Sequence, residues 1–156
     1  MRFFGGVSWK GMGRQTTVYR LTYHLVLVVK YRGPCITQEM GDFLIREAGR
    51  LIAGKNGALI GGNHDKDHIH LLLSLPPNLN LSHFVASLKN TLSRLVKKQF
   101  PDDVRKYLWG DAFWSSSFFI SSTGGASLDT VRQYIEDPGK PKRPYTKKSD
   151  SSPTQN

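Results

Sequence analysis

Two histidines separated by a single residue, His68 and His70, are the strongest chemical feature of this sequence. A neutral imidazole offers a ring nitrogen to a cation, and histidine is the commonest metal ligand in proteins. On a β-strand, residues two apart share a face, which places these rings roughly 7 Å apart. The pair therefore predicts a metal site, but catalytic metals usually need a third protein ligand and an open position. The plainer interpretation is two polar residues on a half-buried strand.

The flanking sequence predicts the strand that this geometry needs. Residues 67–75 alternate, so that His68 and His70 lie on the open face of a sheet. A longer strand over residues 18–30 places His24 on its polar face, and His64 lies just upstream of the pair. We therefore expect four of the five histidines near one edge of the open face. The residues expected on the helix-covered face of the 67–75 strand are Ile69, Leu71, Leu73 and Leu75.

The remaining elements predict an α+β fold. A helix capped by Thr37 and a second helix that Pro101 terminates both carry apolar residues at helical spacing. Residues 58–62 and 113–121 predict the second and fourth strands, with a polar turn over 63–66. A short helix over 127–137 follows and ends at Pro138. This order predicts a ferredoxin-like or RRM-like antiparallel sheet, with two helices on one face and an extra C-terminal helix.

Composition narrows the class of protein. The 156 residues suffice for one core, and the net charge of +10 favours a nucleic-acid partner. The single cysteine, Cys35, excludes an internal disulfide framework and fits a reducing cytoplasm. The sequence shows no signal-peptide pattern at its start and no apolar run of membrane-spanning length. We predict a flexible arm over residues 1–16, one domain over 17–138 and a basic mobile tail over 139–156.

Several motifs together resemble a known family, the single-tyrosine HUH transposases. These are the transposase A enzymes of insertion sequences that move as single-stranded DNA, and they include the REP-associated tyrosine transposases. The resemblance spans about residues 18–137. The motifs that carry it are Tyr23-His24-Leu25-Val26, Lys30-Tyr31-Arg32, Asp67-His68-Ile69-His70-Leu71-Leu72-Leu73, Phe84-Val85-x-x-Leu88-Lys89, Trp114-x-x-Ser117-Phe118-Phe119 and Val131-Arg132-Gln133-Tyr134-Ile135-Glu136.

The resemblance implies a catalytic tyrosine, Tyr134, on the C-terminal helix. It implies attack on a DNA phosphodiester, a 5′-phosphotyrosine link and a free 3′-hydroxyl, with Mg²⁺ or Mn²⁺ held by His68 and His70. A phenol has a pKa of about 10, so both nucleophile and phosphate benefit from a nearby cation. On periodicity alone, Tyr134 is better explained as an aromatic residue that packs beside Val131 at the helix edge.

The sequence departs from the family pattern at Pro138. Family members commonly carry glutamine or asparagine there, four residues after the tyrosine, as the third metal ligand. Proline has no ligating side chain. Asp137, Glu136 or His64 could substitute, or the site is weakened.

The resemblance also implies a homodimer in which the tyrosine helix of one subunit completes the histidine site of the other, and recognition of hairpins in single-stranded DNA. Phosphate contacts are expected from basic residues of the second helix, with a solvated helix face as the plain alternative. Three aromatic residues can stack on unpaired bases or, for at least two of them, pack in the core. The basic residues are Lys89, Arg94, Lys97 and Lys98, and the aromatic residues are Trp109, Phe113 and Trp114.

Three other functions remain open at this point. A domesticated relative acting on repetitive palindromes, or a replication-initiator or relaxase-type nickase, would use the same chemistry. A non-catalytic RRM-like module would bind nucleic acid, although the usual aromatic residues of its third strand are replaced here by histidines. A structural basic protein would leave His68, His70 and Tyr134 without a role.

Overall fold

The computed structural model describes residues 19–110 and 112–123, together with the backbone of residues 2 and 3. The strands are β1 (Arg2–Phe3), β2 (Thr22–Val28), β3 (Ala58–His64), β4 (His68–Ser74) and β5 (Phe119–Ser122). A short 3₁₀ turn, Lys30–Arg32, follows β2. The helices are α1 (Gln38–Ala53), α2 (Leu81–Gln99) and α3 (Pro101–Tyr107).

The strands form one antiparallel sheet in the order β1-β3-β4-β2-β5. Without β1, this is the order of a ferredoxin-like sheet, in which the first and third strands of the βαββαβ unit lie at the centre. The predicted fold class is therefore confirmed. The predicted C-terminal helix lies outside the described residues.

The core lies between the sheet and helices α1 and α2. The alternate residues of β4 that were predicted to face the helices, together with Leu75 beyond its end, are all at most 1% exposed. On β2 the same face carries Leu25 and Leu27, and Val29 follows directly after the strand; all three are fully buried. Helix α1 begins after Thr37, whose hydroxyl accepts a hydrogen bond from the Met40 backbone amide at 3.2 Å, as the capping prediction requires.

Strand β3 contains an irregularity that decides which side chains face the helices. Its pairing with β4 shifts register between Leu59 and Gly61, so an extra residue stands in β3 at this point. A β-bulge of this kind reverses the alternation of the residues beyond it. The strand then continues to His64, whereas the sequence analysis ended it at residue 62 and predicted a turn over 63–66.

Three further differences separate the structure from the sequence prediction. Helix α3 was missed, although Pro101 at its first position and Asp102 in its first turn are favourable helix-start residues. Strand β5 begins at Phe119 instead of residue 113, because the preceding segment forms a loop with only one isolated bridge, from Trp114 to Val29. Strand β1 was not predicted, and it pairs with the edge of β3.

None of the helices in the described part of the chain combines the length and the apolar composition of a membrane span.

Candidate metal centre and nucleic-acid groove

Three histidines meet on the face of the sheet opposite the helices. His68 and His70 are on β4, and His24 is on the neighbouring strand β2, where it pairs in register with Leu72. The rings of His68 and His70 have centroids 4.7 Å apart, and the ring of His24 stacks on that of His70 with centroids 5.2 Å apart. The expectation that His68 and His70 share one face, with His24 beside them, is confirmed.

Both histidines of the predicted pair use the same ring nitrogen within the protein. Nδ1 of His68 lies 2.6 Å from Oδ1 of Asp67, and Nδ1 of His70 lies 2.9 Å from Nε2 of His24. Within the described ranges, the Nε2 atom of neither ring has a hydrogen-bond partner. This pattern suits metal binding, because ligating histidines commonly use one nitrogen for the metal and the other for a partner that fixes the ring.

The electrostatics of the cluster keep the imidazoles ready to act as ligands. Burial, followed by the neighbouring charges of His68 and His24, lowers the pKa of His70 to about 4, with Asp65 acting in the opposite direction. Burial also lowers the pKa of His24. A metal ligand must be the neutral imidazole, so His70 needs no deprotonation near neutral pH.

Asp67 is held in its charged form beside this cluster. Burial alone would raise its pKa, but the hydrogen bond and charge of His68, together with Arg32, outweigh burial and lower it. In the sequence, Asp67 and Arg32 stand out only as parts of motifs, and neither was predicted to have a role of its own. Their signal was their position, since Asp67 directly precedes the first histidine of the pair.

The described residues supply two candidate ligands and not three. Across residues 19–110 and 112–123, no group of three histidine, cysteine, aspartate or glutamate side chains converges on one point. The donor set of His68 and His70 nevertheless fits a divalent cation, because both free ring nitrogens belong to one face and both rings are fixed. Tyr134, Glu136, Asp137 and Pro138 lie outside the described residues.

His64, which the sequence analysis considered as a third ligand, is excluded by the sheet register. It pairs with Ile69 and therefore points to the helix side of the sheet, away from His68 and His70. There it packs against Gly41 of α1, with its Nε2 atom 4.0 Å from Oδ1 of Asp42. The expected group of four histidines is thus a group of three, and the bulge in β3 is the cause.

A groove of about 550 Å³ runs between α2 and the loop before β5. Three of the four basic residues singled out from the sequence, Lys89, Arg94 and Lys97, line it, and Lys98 does not. The other lining residues are Asn90, Ser93, Ala112, Phe113, Trp114, Ser115 and Ser116. No acidic side chain is among these lining residues, so the groove suits a polyanion.

Lys89 differs from the other basic residues because its charge is already engaged. Its ammonium donates hydrogen bonds to the carbonyl oxygens of Ser115 at 2.7 Å and Ser116 at 3.1 Å. Burial lowers its pKa. Lys89 therefore fixes one wall of the groove, while Arg94 and Lys97 remain the better phosphate-binding candidates.

The three aromatic residues that precede β5 in the chain divide between core and surface, as the sequence predicted. Phe113 and Trp114 are 0% and 5% exposed, and their rings pack edge to face in the core. Trp109 is 96% exposed. Trp109 alone of the three is available for stacking on an unpaired base.

A family model and a sequence relative both point to the same group of proteins. The family model described as "Transposase IS200 like" matches residues 17–138. The chain is 35% identical over 120 residues to ISDra2 transposase TnpA of Deinococcus radiodurans, which covers 76% of this chain and 84% of that protein.

Two solved structures share the fold. A candidate transposase from Deinococcus radiodurans superposes with a TM-score of 0.65 at 28% identity, covering 83% of this chain and 97% of that one. A REP-associated tyrosine transposase bound to a REP hairpin superposes with a TM-score of 0.51 at 12% identity, covering 81% and 69%. The second likeness shows the fold alone.

Proposed function

The chain belongs to the family of IS200-like transposases, and we propose that it cleaves and rejoins single-stranded DNA at the hairpin-marked ends of an insertion sequence. Transposases are DNA-cleaving and strand-transferring enzymes. The observation that carries the finer proposal is the pair His68 and His70, whose Nδ1 atoms are both engaged while both Nε2 atoms remain available on one face.

In this proposal His68 and His70 hold a divalent cation, Mg²⁺ or Mn²⁺, through their Nε2 atoms. When bound, the ion supplies positive charge that offsets the charge developing on the scissile phosphate. The burial of His70 lowers its pKa and so keeps its ring neutral near neutral pH. The two imidazoles would hold the ion together with a further ligand from elsewhere in the assembly.

Tyr134 is the proposed nucleophile, by the family resemblance. Its phenolic oxygen, after loss of the proton, attacks the phosphorus and forms a new O–P bond. The bond from phosphorus to the 3′-oxygen breaks, and that oxygen takes up a proton to become a free 3′-hydroxyl. The 5′-phosphotyrosine link retains the phosphodiester energy, so a 3′-hydroxyl can attack it later and rejoin the strands.

DNA is proposed to lie along the groove beside α2, with Arg94 and Lys97 on its phosphates. Affinity should then fall steeply with salt, and removing one phosphate contact should reduce the salt slope by about 1. The hairpin assignment is supported by the fold shared with the REP-associated transposase, which was solved with a REP hairpin. We further propose a homodimer that shares its active sites, acting on chromosomal DNA in a prokaryotic cytoplasm.

A nicking assay on hairpin-bearing single-stranded oligonucleotides tests the proposal. The wild type should form a covalent protein–DNA adduct with Mg²⁺ or Mn²⁺ and none with chelator. Tyr134→Phe should bind the same DNA and form no adduct. Tyr107→Phe is the matched control, because Tyr107 is a 45%-exposed phenol on α3 that is given no role.

Three results would contradict parts of the proposal. An adduct with Tyr134→Phe would reject the nucleophile. Full activity in chelator, or in a His68→Ala, His70→Ala double variant, would reject the metal site. A wild type that binds hairpins tightly but never forms an adduct would favour the non-catalytic binding module instead.

A further inference from the structure

A chain of three side chains leads from the surface to the first histidine of the pair. The Nε atom of Arg32 lies 3.3 Å from Oδ2 of Asp67, and Oδ1 of Asp67 lies 2.6 Å from Nδ1 of His68. We propose that Asp67 and Arg32 are positioning residues, which fix the tautomer and orientation of His68 so that its Nε2 atom faces the metal. This inference rests on the proposed role of His68 as a metal ligand.

The contact between Asp67 and His68 determines where the ring proton lies. A carboxylate only accepts hydrogen bonds, so the hydrogen between these two atoms belongs to Nδ1 of His68. In the neutral ring the lone pair is then on Nε2, which is the tautomer that a metal on the open face requires.

The carboxylate of Asp67 is itself held from two sides. One of its oxygens faces His68 and the other faces Arg32, while its backbone carbonyl accepts a hydrogen bond from the amide of Val29 at 2.8 Å. The side chain of Arg32 is 74% exposed. An ion pair this exposed contributes little to folding stability, so orientation of Asp67 is the more substantial consequence of the contact.

The backbone around Arg32 adopts an unfavourable conformation that packing does not explain. Tyr31 has φ 60° and ψ 14°, and Arg32 has φ 53°. In the described part of the chain, Asn56 is the only other non-glycine residue with positive φ. Residues with a β-carbon avoid this region, and Tyr31 is 86% exposed, so its ring gains little burial in return. The turn does place Arg32 against Asp67, which gives the strained conformation a role.

The second histidine of the pair is held differently. Nδ1 of His70 faces Nε2 of His24 at 2.9 Å, and the two rings stack with an angle of 13° between their planes. His70 thus has an imidazole partner, whereas His68 has a carboxylate. Changes at Asp67 or Arg32 should therefore act on His68 and leave the geometry of His70 in place.

Metal affinity of the full-length protein provides the first test. Mn²⁺ binding is measured by titration calorimetry or by the loss of free-Mn²⁺ electron paramagnetic resonance signal. Asp67→Ala should weaken binding about 10- to 100-fold, which is the usual effect of removing such an outer partner. Asp67→Asn, which keeps an acceptor but no charge, and Arg32→Gln should each have a smaller effect.

A matched ion pair elsewhere serves as the control. Glu47 and Arg50 of α1 form a surface ion pair at 2.8 Å, and the Arg50 side chain is 62% exposed. Glu47→Gln and Arg50→Gln should leave Mn²⁺ affinity unchanged. All variants are compared by urea unfolding, where we expect midpoints near that of the wild type.

The tautomer of His68 provides a second readout that needs no metal and no activity. In ¹⁵N-detected spectra of the metal-free protein at about pH 8, well above the ordinary histidine pKa, His68 should carry its proton on Nδ1. Asp67→Ala should shift it towards the Nε2-protonated form, while His70 keeps its wild-type pattern.

The outcomes separate this inference from the proposed function. If Asp67→Ala binds Mn²⁺ as tightly as the wild type, or if His68 of the wild type is protonated on Nε2, the positioning role is wrong even when the adduct forms normally. If the wild type binds no Mn²⁺ at all, both the metal site and the positioning role are overturned. If affinity and tautomer change together in Asp67→Ala, with a smaller effect in Asp67→Asn and none in Glu47→Gln, the inference stands.

Discussion

Replacing Gly41 with alanine examines whether His64 is packed against α1 or available as a ligand. A β-carbon built at Gly41 would lie 2.3 Å from the ring atoms of His64. Carbon atoms not bonded to each other normally stay about 3.5–4.0 Å apart. The ring is held close to the helix, because the His64 side chain is only 11% exposed. The alanine side chain therefore cannot enter without displacing the ring.

Two opposing effects determine how much Gly41→Ala changes the free energy of unfolding. Overpacking of this kind costs about 1–3 kcal/mol. Replacing a helical glycine by alanine contributes about 0.5–1 kcal/mol in the stabilising direction. Gly41→Ala should therefore destabilise the wild type by up to about 2.5 kcal/mol. In a His64→Ala background the clash is gone, and the same substitution should stabilise the protein by about 0.5–1 kcal/mol.

Urea unfolding of the four proteins in this double-mutant cycle gives the coupling free energy directly. The decisive result is the sign, which should reverse between the two backgrounds. If Gly41→Ala stabilises both backgrounds equally, His64 does not pack on Gly41 and its placement on the helix side is wrong. Mn²⁺ affinity should be the same for His64→Ala and the wild type, because His64 lies on the opposite face from the histidine pair.

Three further predictions concern the site, the groove and the buried thiol. The pKa of His70 is lowered to about 4 in the folded protein, from an unfolded value of about 6.5. The unfolded chain therefore binds the proton first as the pH falls, so the stability that neutral His70 contributes is complete above about pH 6.5 and is lost below it. We expect the free energy of unfolding to fall by about 1–2 kcal/mol between about pH 7 and pH 5 in metal-free buffer. His70→Asn should flatten that part of the urea-unfolding profile, and an unchanged profile would contradict the shift. Lys89→Met removes the ammonium that donates hydrogen bonds to two loop carbonyls, and it should lower the free energy of unfolding by about 1 kcal/mol. Lys98→Met, on the exposed side of α2, is the control and should change stability by less than about 0.5 kcal/mol. Equal effects of the two substitutions would show that the Lys89 contacts contribute nothing. Cys35 is 1% exposed, and burial followed by the charge of Asp103 raises its pKa to about 11. A thiol reagent at about pH 8 should therefore modify Cys35 only after the protein unfolds. Rapid labelling of the native protein would disprove this.

The position of the histidine pair was predictable from the sequence because strand β4 is regular. Its ladder with β2 runs residue for residue from His68 to Ser74, so the buried face of Ile69 and Leu71 determines the face of His68 and His70. The long strand β2 is equally regular, which is why His24 was expected beside them. Periodicity predicts a side chain's face reliably only as long as the ladder of the strand is unbroken.

The features that were missed depend on contacts that periodicity does not contain. The bulge in β3 reverses the alternation before His64, and nothing in five residues of a glycine-containing strand indicates which of them is the extra one. The hydrophobic residues Phe113 and Trp114 suggested a strand, but they are buried in a loop whose carbonyls bind Lys89. The contact of Arg32 with Asp67 requires left-handed backbone at two residues that have no particular tendency for it.

The two strands that carry the clustered imidazoles are the middle strands of the sheet, and each is paired on both sides. Such core strands open at free energies that approach that of global unfolding, whereas termini and mobile loops open at far lower cost. We therefore expect the backbone that carries the three rings to keep its position on the millisecond timescale of enzyme turnover. In the proposed reaction, the strand exchange between cutting and rejoining would therefore take place around a histidine pair whose supporting strands stay in place.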